Sequence, residues 1–139
     1  MVPLYAQDYD FSAYNVLAVD DIPLNLLLVQ KMLARYNFKL RTASSGQQAL
    51  DAVSSQKPNL ILLDLMMPGI DGFEVIRRLR NNPVTSDIRI VVLSALNSNE
   101  DVIRGFNEGA DDYIMKPIIM EKLLSCVVTQ LQIAESRIR

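Results

Sequence analysis

The stretch "NLILLDLMMPGIDGFEV", Asn59–Val75, decides the fold. Its unbroken apolar run, Leu60 to Leu63, ends in a carboxylate, Asp64, and then in the turn-forming Pro68, Gly69 and Gly72. Four consecutive apolar residues bounded by turn signals suit a strand covered on both faces. A carboxylate at the end of such a strand is costly unless it turns a corner or does chemistry.

Working outward from this run, short β-branched or leucine-rich segments alternate with longer stretches of helical spacing, separated by polar or Gly/Pro punctuation. Strands are expected over 15–19, 38–43, 59–63, 88–94 and 112–115. Helices are expected over 23–36, with Pro23 in the first turn, and over 44–56, with a serine cap. Three more are expected over 72–82, over 98–109 with Ser98 as cap and Gly109 closing, and from Pro117 toward the end. Strictly alternating βα units with continuously apolar central strands predict an α/β fold: a doubly wound, five-stranded parallel sheet of order 2-1-3-4-5 with helices on both faces. Ligands of such sheets bind at the carboxyl ends of the strands, where the order reverses.

Those ends are polar. The first strand delivers Asp20 and Asp21, the third Asp64, the fourth Ser94 and the fifth Lys116 before Pro117. Three carboxylates and one ammonium at one edge sum to −2, a charge that one Mg²⁺ would cancel, with room left for phosphate oxygens. Asp64 would be the nucleophile, Lys116 would hold one phosphoryl oxygen, and the Ser94 hydroxyl would donate to another. Taken singly, each residue has a plainer reading: Asp64 as a turn residue, Asp20 and Asp21 as caps of the next helix, Ser94 as a strand-end hydroxyl, Tyr113 as a core ring and Lys116 as a solvated lysine. Their joint placement at one edge points to chemistry.

The motifs "VDD" at 19–21, "DLMMPGIDG" at 64–72, "LSA" at 93–95 and "GADDYIMKP" at 109–117 resemble, in order and interval, the landmarks of the receiver domains of two-component response regulators, the chemotaxis-regulator-like family. The resemblance runs from Asn15 to the final helix. It implies that Asp64 accepts a phosphoryl group from a phosphohistidine on a sensor histidine kinase or a histidine phosphotransfer protein. It further implies Mg²⁺ held by Asp21, Asp64, the backbone carbonyl of Met66 and, through water, Asp20. A cis peptide between Lys116 and Pro117 is implied, as is a switch pair, Ser94 and Tyr113, that reshapes the face made by the fourth helix, fifth strand and fifth helix to control an output domain or protein. The chain would be a signalling phosphoacceptor rather than an enzyme with turnover. A homodimer through that face or through the C-terminal helix is a further expectation.

Enzyme classes fare worse on the same residues. A haloacid-dehalogenase-type phosphatase resembles D-x-D, and here the second position is Met66. An EF-hand would need acidic or amide residues where Met66 and Pro68 stand, and no P-loop or dinucleotide-binding glycine motif occurs. A pure interaction module that has lost phosphorylation would not need the full acidic, hydroxyl and lysine set. Two positions depart from many relatives: Met66, two after Asp64, and Leu96, two after Ser94, are apolar and cannot position an attacking water, which predicts slow self-dephosphorylation.

Composition narrows the partners. Fourteen Lys and Arg against 16 Asp and Glu give a net charge of −2 and no electrostatic footprint for nucleic acid. With no histidine, any phosphohistidine must come from a partner. The lone Cys126 excludes an internal disulfide and reads as packing. No apolar run approaches the length needed to span a bilayer, so no membrane partner is expected, and the expected location is cytoplasmic. Residues 1–14 are expected to form an N-terminal arm, linker or tag, and 15–139 the receiver domain, with the last helix extending beyond it from about 130. Along that helix Leu124, Val127, Leu131, Ala134 and Ile138 form a heptad-like stripe, either core-facing or a signalling helix. Arg77, Arg78 and Arg80 are expected on a solvated helix face, and Asp111 and Asp112 in a solvated loop.

Overall fold

The computed structural model describes residues 11–34 and 36–138. Five strands and five helices alternate: β1 (Asn15–Val19), α1 (Pro23–Leu33), β2 (Lys39–Ala43), α2 (Gly46–Ser55), β3 (Leu60–Leu63), α3 (Gly72–Asn81), β4 (Arg89–Ser94), α4 (Asn99–Glu108), β5 (Asp112–Met115) and α5 (Met120–Ile138). The strands form one parallel sheet of order β2-β1-β3-β4-β5, as the pattern predicts.

Alternate residues of each strand point to opposite faces, and two apolar clusters result. Leu17, Val19, Ile61, Leu63, Ile90 and Val92 pack toward α2 and α3, against Ala49, Val53, Phe73, Ile76 and Leu79. Val16, Ala18, Leu60, Leu62, Val91 and Leu93 pack toward α1 and α5, against Val29, Leu33, Leu124, Val127 and Leu131. Most of the C-terminal stripe is thereby occupied: Leu124, Val127, Leu131 and Ala134 are buried on the chain's own core, and the side chain of Ile138 lies outside the described residues.

Helix ends follow the local chemistry. The side chains of Ser45, Asp71 and Ser98 cap α2, α3 and α4 by accepting from Gln48, Glu74 and Asp101 N–H groups. Gly109 ends α4 with φ 123°, and a Cβ there would meet the Arg80 stem at 2.7 Å, so glycine is required twice over. α1 stops at Leu33 rather than running to residue 36, because Tyr36 leaves the helix to stack on Phe38 and meet Phe11 edge-on at 5.3 Å. Phe11 is 2% exposed and Tyr14 O accepts from Lys39 N–H at 2.8 Å, so the packed unit reaches back to Phe11. Residues 1–10 of the expected arm lie outside the described residues.

Two expectations about surface charge are corrected. Arg80 is no solvated face: its guanidinium donates to the carbonyls of Gly109, Ser86 and Ile88 and to Asp111, at 2.9, 3.0, 2.6 and 2.8 Å. Asp111 is no solvated loop either, since it also accepts from Ile90 N–H at 2.8 Å and pairs with Arg89 at 3.2 Å. Arg89 in turn donates to Gln130 of α5 at 2.7 Å. Asp112 opens β5 half-buried and accepts from the Cys126 thiol at 3.3 Å, and burial beside that carboxylate pushes the thiol pKa up to about 12. Only Arg77 and Arg78 keep the expected character, pairing with Glu74 at a half-exposed surface.

Candidate functional site

The parallel sheet brings the carboxyl ends of β1, β3, β4 and β5 to one edge, and with them Asp20, Asp21, Asp64, Ser94 and Lys116. Asp20 and Asp64 are buried, Asp21 is half-buried, and each of the three offers a carboxylate oxygen within 4.8 Å of the others. Lys116 Nζ donates to Asp20 Oδ2 at 2.9 Å and stands 3.7 Å from Asp64 Oδ2. The other Asp20 oxygen accepts from Ile22 N–H at 2.9 Å, and Asp64 Oδ1 accepts from Met66 N–H at 3.3 Å. The loop after β3 closes tightly against Asp64, for a Cβ on Gly72 would meet its carbonyl oxygen at 2.5 Å.

Burial raises the Asp64 pKa above its usual value; the Lys116 ammonium opposes this, Asp20 reinforces it, and N–H groups of Met66 and Leu65 lower it in part. An all-oxygen donor set with excess negative charge and one lysine suits a hard divalent cation such as Mg²⁺. On charge and donor type these residues fit that ion.

Ser94 is fully buried, its hydroxyl oxygen accepting from Leu96 N–H at 3.2 Å, while its carbonyl accepts from Lys116 N–H at 2.8 Å. The peptide between Lys116 and Pro117 is cis. Tyr113 is 9% exposed, with its ring turned inward and its hydroxyl donating to Leu96 O at 2.6 Å. Met66, at 58% exposure, and half-buried Leu96 line one side of the edge together with Leu65, Phe73 and Arg104. On the other side an apolar cavity of about 300 Å³ runs from Asp20 and Lys116 between Leu26, Val29, Met32 and Ile118. Residue spacing gave no sign of this cavity; the signal available was α1 and its N-cap, where Ile22, Leu24, Leu27 and Leu28 stay exposed.

Residues 16–128 match the family model described as "Response regulator receiver domain". The chain is 42% identical over 104 residues to the response regulator PleD of Caulobacter vibrioides, covering 75% of this chain and 23% of that protein. It is 39% identical over 113 residues to the DNA-binding dual master transcriptional regulator RpaA of Synechocystis sp., covering 81% of this chain and 47% of that protein. It therefore spans less than half the length of either relative. Among solved structures, the signal receiver domain of a signal transduction histidine kinase from Syntrophus aciditrophicus is 30% identical with a TM-score of 0.80, covering 86% of this chain and 90% of that one.

Proposed function

The chain belongs to the response regulator receiver domain family, and on that premise we propose that Asp64 is its phosphoacceptor, taking a phosphoryl group from a phosphohistidine of a sensor histidine kinase or a histidine phosphotransfer protein. The observation that carries this reading is the convergence of Asp20, Asp21, Asp64 and Lys116 at one sheet edge, with Ser94 closing the fourth strand beside them. In the transfer, an Asp64 carboxylate oxygen attacks phosphorus in line, the new P–O bond forms as the P–N bond breaks, and the donor imidazole leaves with the electron pair. Lys116, already within reach of both buried aspartates, holds one phosphoryl oxygen as a point charge. The Ser94 hydroxyl donates to another.

Mg²⁺ would be held by Asp21, Asp64, the Met66 carbonyl and, through water, Asp20, and when bound it would supply positive charge that offsets the carboxylates and the phosphoryl oxygens. Asp20 then serves the site indirectly, because both of its oxygens already accept, from Ile22 N–H and from Lys116.

Phosphorylation is read out by Ser94 and Tyr113, which couple the site to the surface of α4, β5 and α5, where Ile103, Phe106 and Met115 are exposed. An output domain or partner protein reads that surface. The net charge of −2 gives this chain no overall electrostatic pull on nucleic acid, so a DNA-binding output of the kind named for RpaA is assigned to another segment or protein.

Incubation with acetyl phosphate and Mg²⁺, followed by intact mass, tests the reading. One added phosphoryl group is expected, absent for Asp64→Asn and in chelator; no addition from acetyl phosphate or from phosphohistidine donors contradicts it.

A further inference from the structure

α4 buries little: Gly105 is its one fully buried residue, Val102 packs half-buried on the core, Ile103 is exposed, and the partly exposed Phe106 meets the Tyr113 ring at 6.4 Å between centroids. A seam with α3 holds it as well. The Arg104 guanidinium lies 3.9 Å from the centroid of the Phe73 ring, Glu108 accepts two hydrogen bonds from Arg77 at 3.1 Å each, and the Gly109 carbonyl accepts from Arg80 at 2.9 Å. Phe73, Arg77 and Arg80 lie on one stripe of α3, so the three contacts act on one line. Together with Val102 and Phe106 they hold α4 at its distance from the sheet.

Beneath α4 at this distance lies the inward ring of Tyr113. A Cβ on Gly105 would meet ring atoms Cδ2 and Cε2 at 3.3 Å each, closer than the comfortable carbon–carbon separation of about 3.5–4.0 Å. The ring cannot retreat cheaply, because the Tyr113 backbone is paired with Val92 in the sheet and its hydroxyl donates to Leu96 O at 2.6 Å. Glycine is a poor choice for a helix interior on propensity alone. The space it leaves is what the ring occupies.

We propose that Gly105 is a positioning residue for the switch, leaving beneath α4 the room that the inward Tyr113 ring needs, so that the side chain at this position sets how readily the site closes around a phosphoryl group. The inference rests on the receiver reading and names a regulatory element of the same site. Any group that favours the inward ring is itself bound more tightly when that position is open, because the two equilibria are linked reciprocally.

Beryllofluoride with Mg²⁺, a phosphoryl mimic, is the probe, titrated by calorimetry into the wild-type chain, Gly105→Ala, Tyr113→Ala and the double variant, with a thermal melt of each. Gly105→Ala is expected to bind roughly five-fold or more weakly and to melt somewhat lower, since the inward ring that its Cβ would crowd is already present without a phosphoryl group; the melts show that each variant is folded at the titration temperature. In the Tyr113→Ala background the same substitution should leave affinity unchanged. Equal affinity of wild type and Gly105→Ala overturns the inference, as does a loss of affinity or of melting temperature that persists in full without the Tyr113 ring. A wild-type chain that binds no beryllofluoride overturns the receiver reading, and the inference with it.

Discussion

Lys116 Nζ is 2.9 Å from Asp20 Oδ2 but 3.7 Å from Asp64 Oδ2, so the single ammonium of the site is hydrogen-bonded to one buried carboxylate and leaves the other less well compensated. Burial accordingly raises the Asp64 pKa above 3.8, with Lys116 opposing the shift. A raised pKa in the folded state means that folding favours the neutral carboxyl. That contribution is fully present below pH 3.8 and is lost as pH rises through the raised folded value. Asp64→Asn, neutral at every pH, should therefore melt higher than wild type in chelator at pH 7, by roughly 2–5 °C, and the gap should close toward pH 3. Saturating Mg²⁺ should raise wild type and narrow the gap, since a ligand of the folded state stabilises it. Calorimetry across that pH range checks this; a lower melting temperature for Asp64→Asn in chelator contradicts it.

The proposed transfer gives Lys116 a role that can be measured. Lys116→Ala removes the cation nearest both Asp20 and Asp64, and phosphorylation by acetyl phosphate should slow by about 10²-fold or more, the scale seen when one transition-state charge partner is removed. Lys116→Arg should restore little, because a planar fork does not replace a point charge at this distance. Rates of mass gain decide the matter, and a variant within threefold of wild type would show that Lys116 is peripheral.

Hydrolysis of the phosphoryl group should be slow. Met66 and Leu96 stand two residues after Asp64 and Ser94, both are apolar, and neither can orient water. Placing an amide or carboxylate there, as in Met66→Asn or Leu96→Glu, should speed loss of the phosphoryl group by about tenfold or more if water orientation limits the rate. Timed intact mass after removal of the donor measures this directly. A wild-type half-life of seconds in the isolated chain would refute the claim.

Stability should depend unequally on the arginines of α3. Arg80 satisfies three backbone carbonyls and Asp111 at a site where both charged side chains are 20% exposed. Arg80→Ala strands those acceptors and should cost about 2–3 kcal/mol. Arg77 pairs with Glu74 and Glu108 at 42% exposure, where solvent screens the pairs, and Arg77→Ala should cost much less than Arg80→Ala. Urea midpoints for the two variants separate these expectations, and equal losses would count against the buried clasp.

The sheet and its order were legible because β1, β3 and β4 carry apolar runs that only a doubly covered parallel sheet can bury, and because Asp20, Asp64, Ser94 and Lys116 close their strands at matching positions. Sequence spacing could not pair Arg80 with Asp111, since the contact joins residues 31 apart through a turn whose path depends on Gly109. Helical periodicity overran at α1 because Tyr36 fits the period but is drawn into the aromatic cluster with Phe11 and Phe38. The stripe on α5 had the spacing of a coiled coil, yet the period is the same for a helix buried on its own sheet, and Leu124, Val127 and Leu131 take that place.

The central claim, that the acceptor is Asp64 itself, is tested most directly by borohydride reduction after phosphorylation with acetyl phosphate and Mg²⁺. Reduction converts an aspartyl phosphate to homoserine, which peptide mass spectrometry locates. The expected result is homoserine at position 64 alone, dependent on Mg²⁺ and on the donor. Homoserine at Asp20 or Asp21, or a phosphoryl group on a hydroxyl with residue 64 unchanged, would contradict the account.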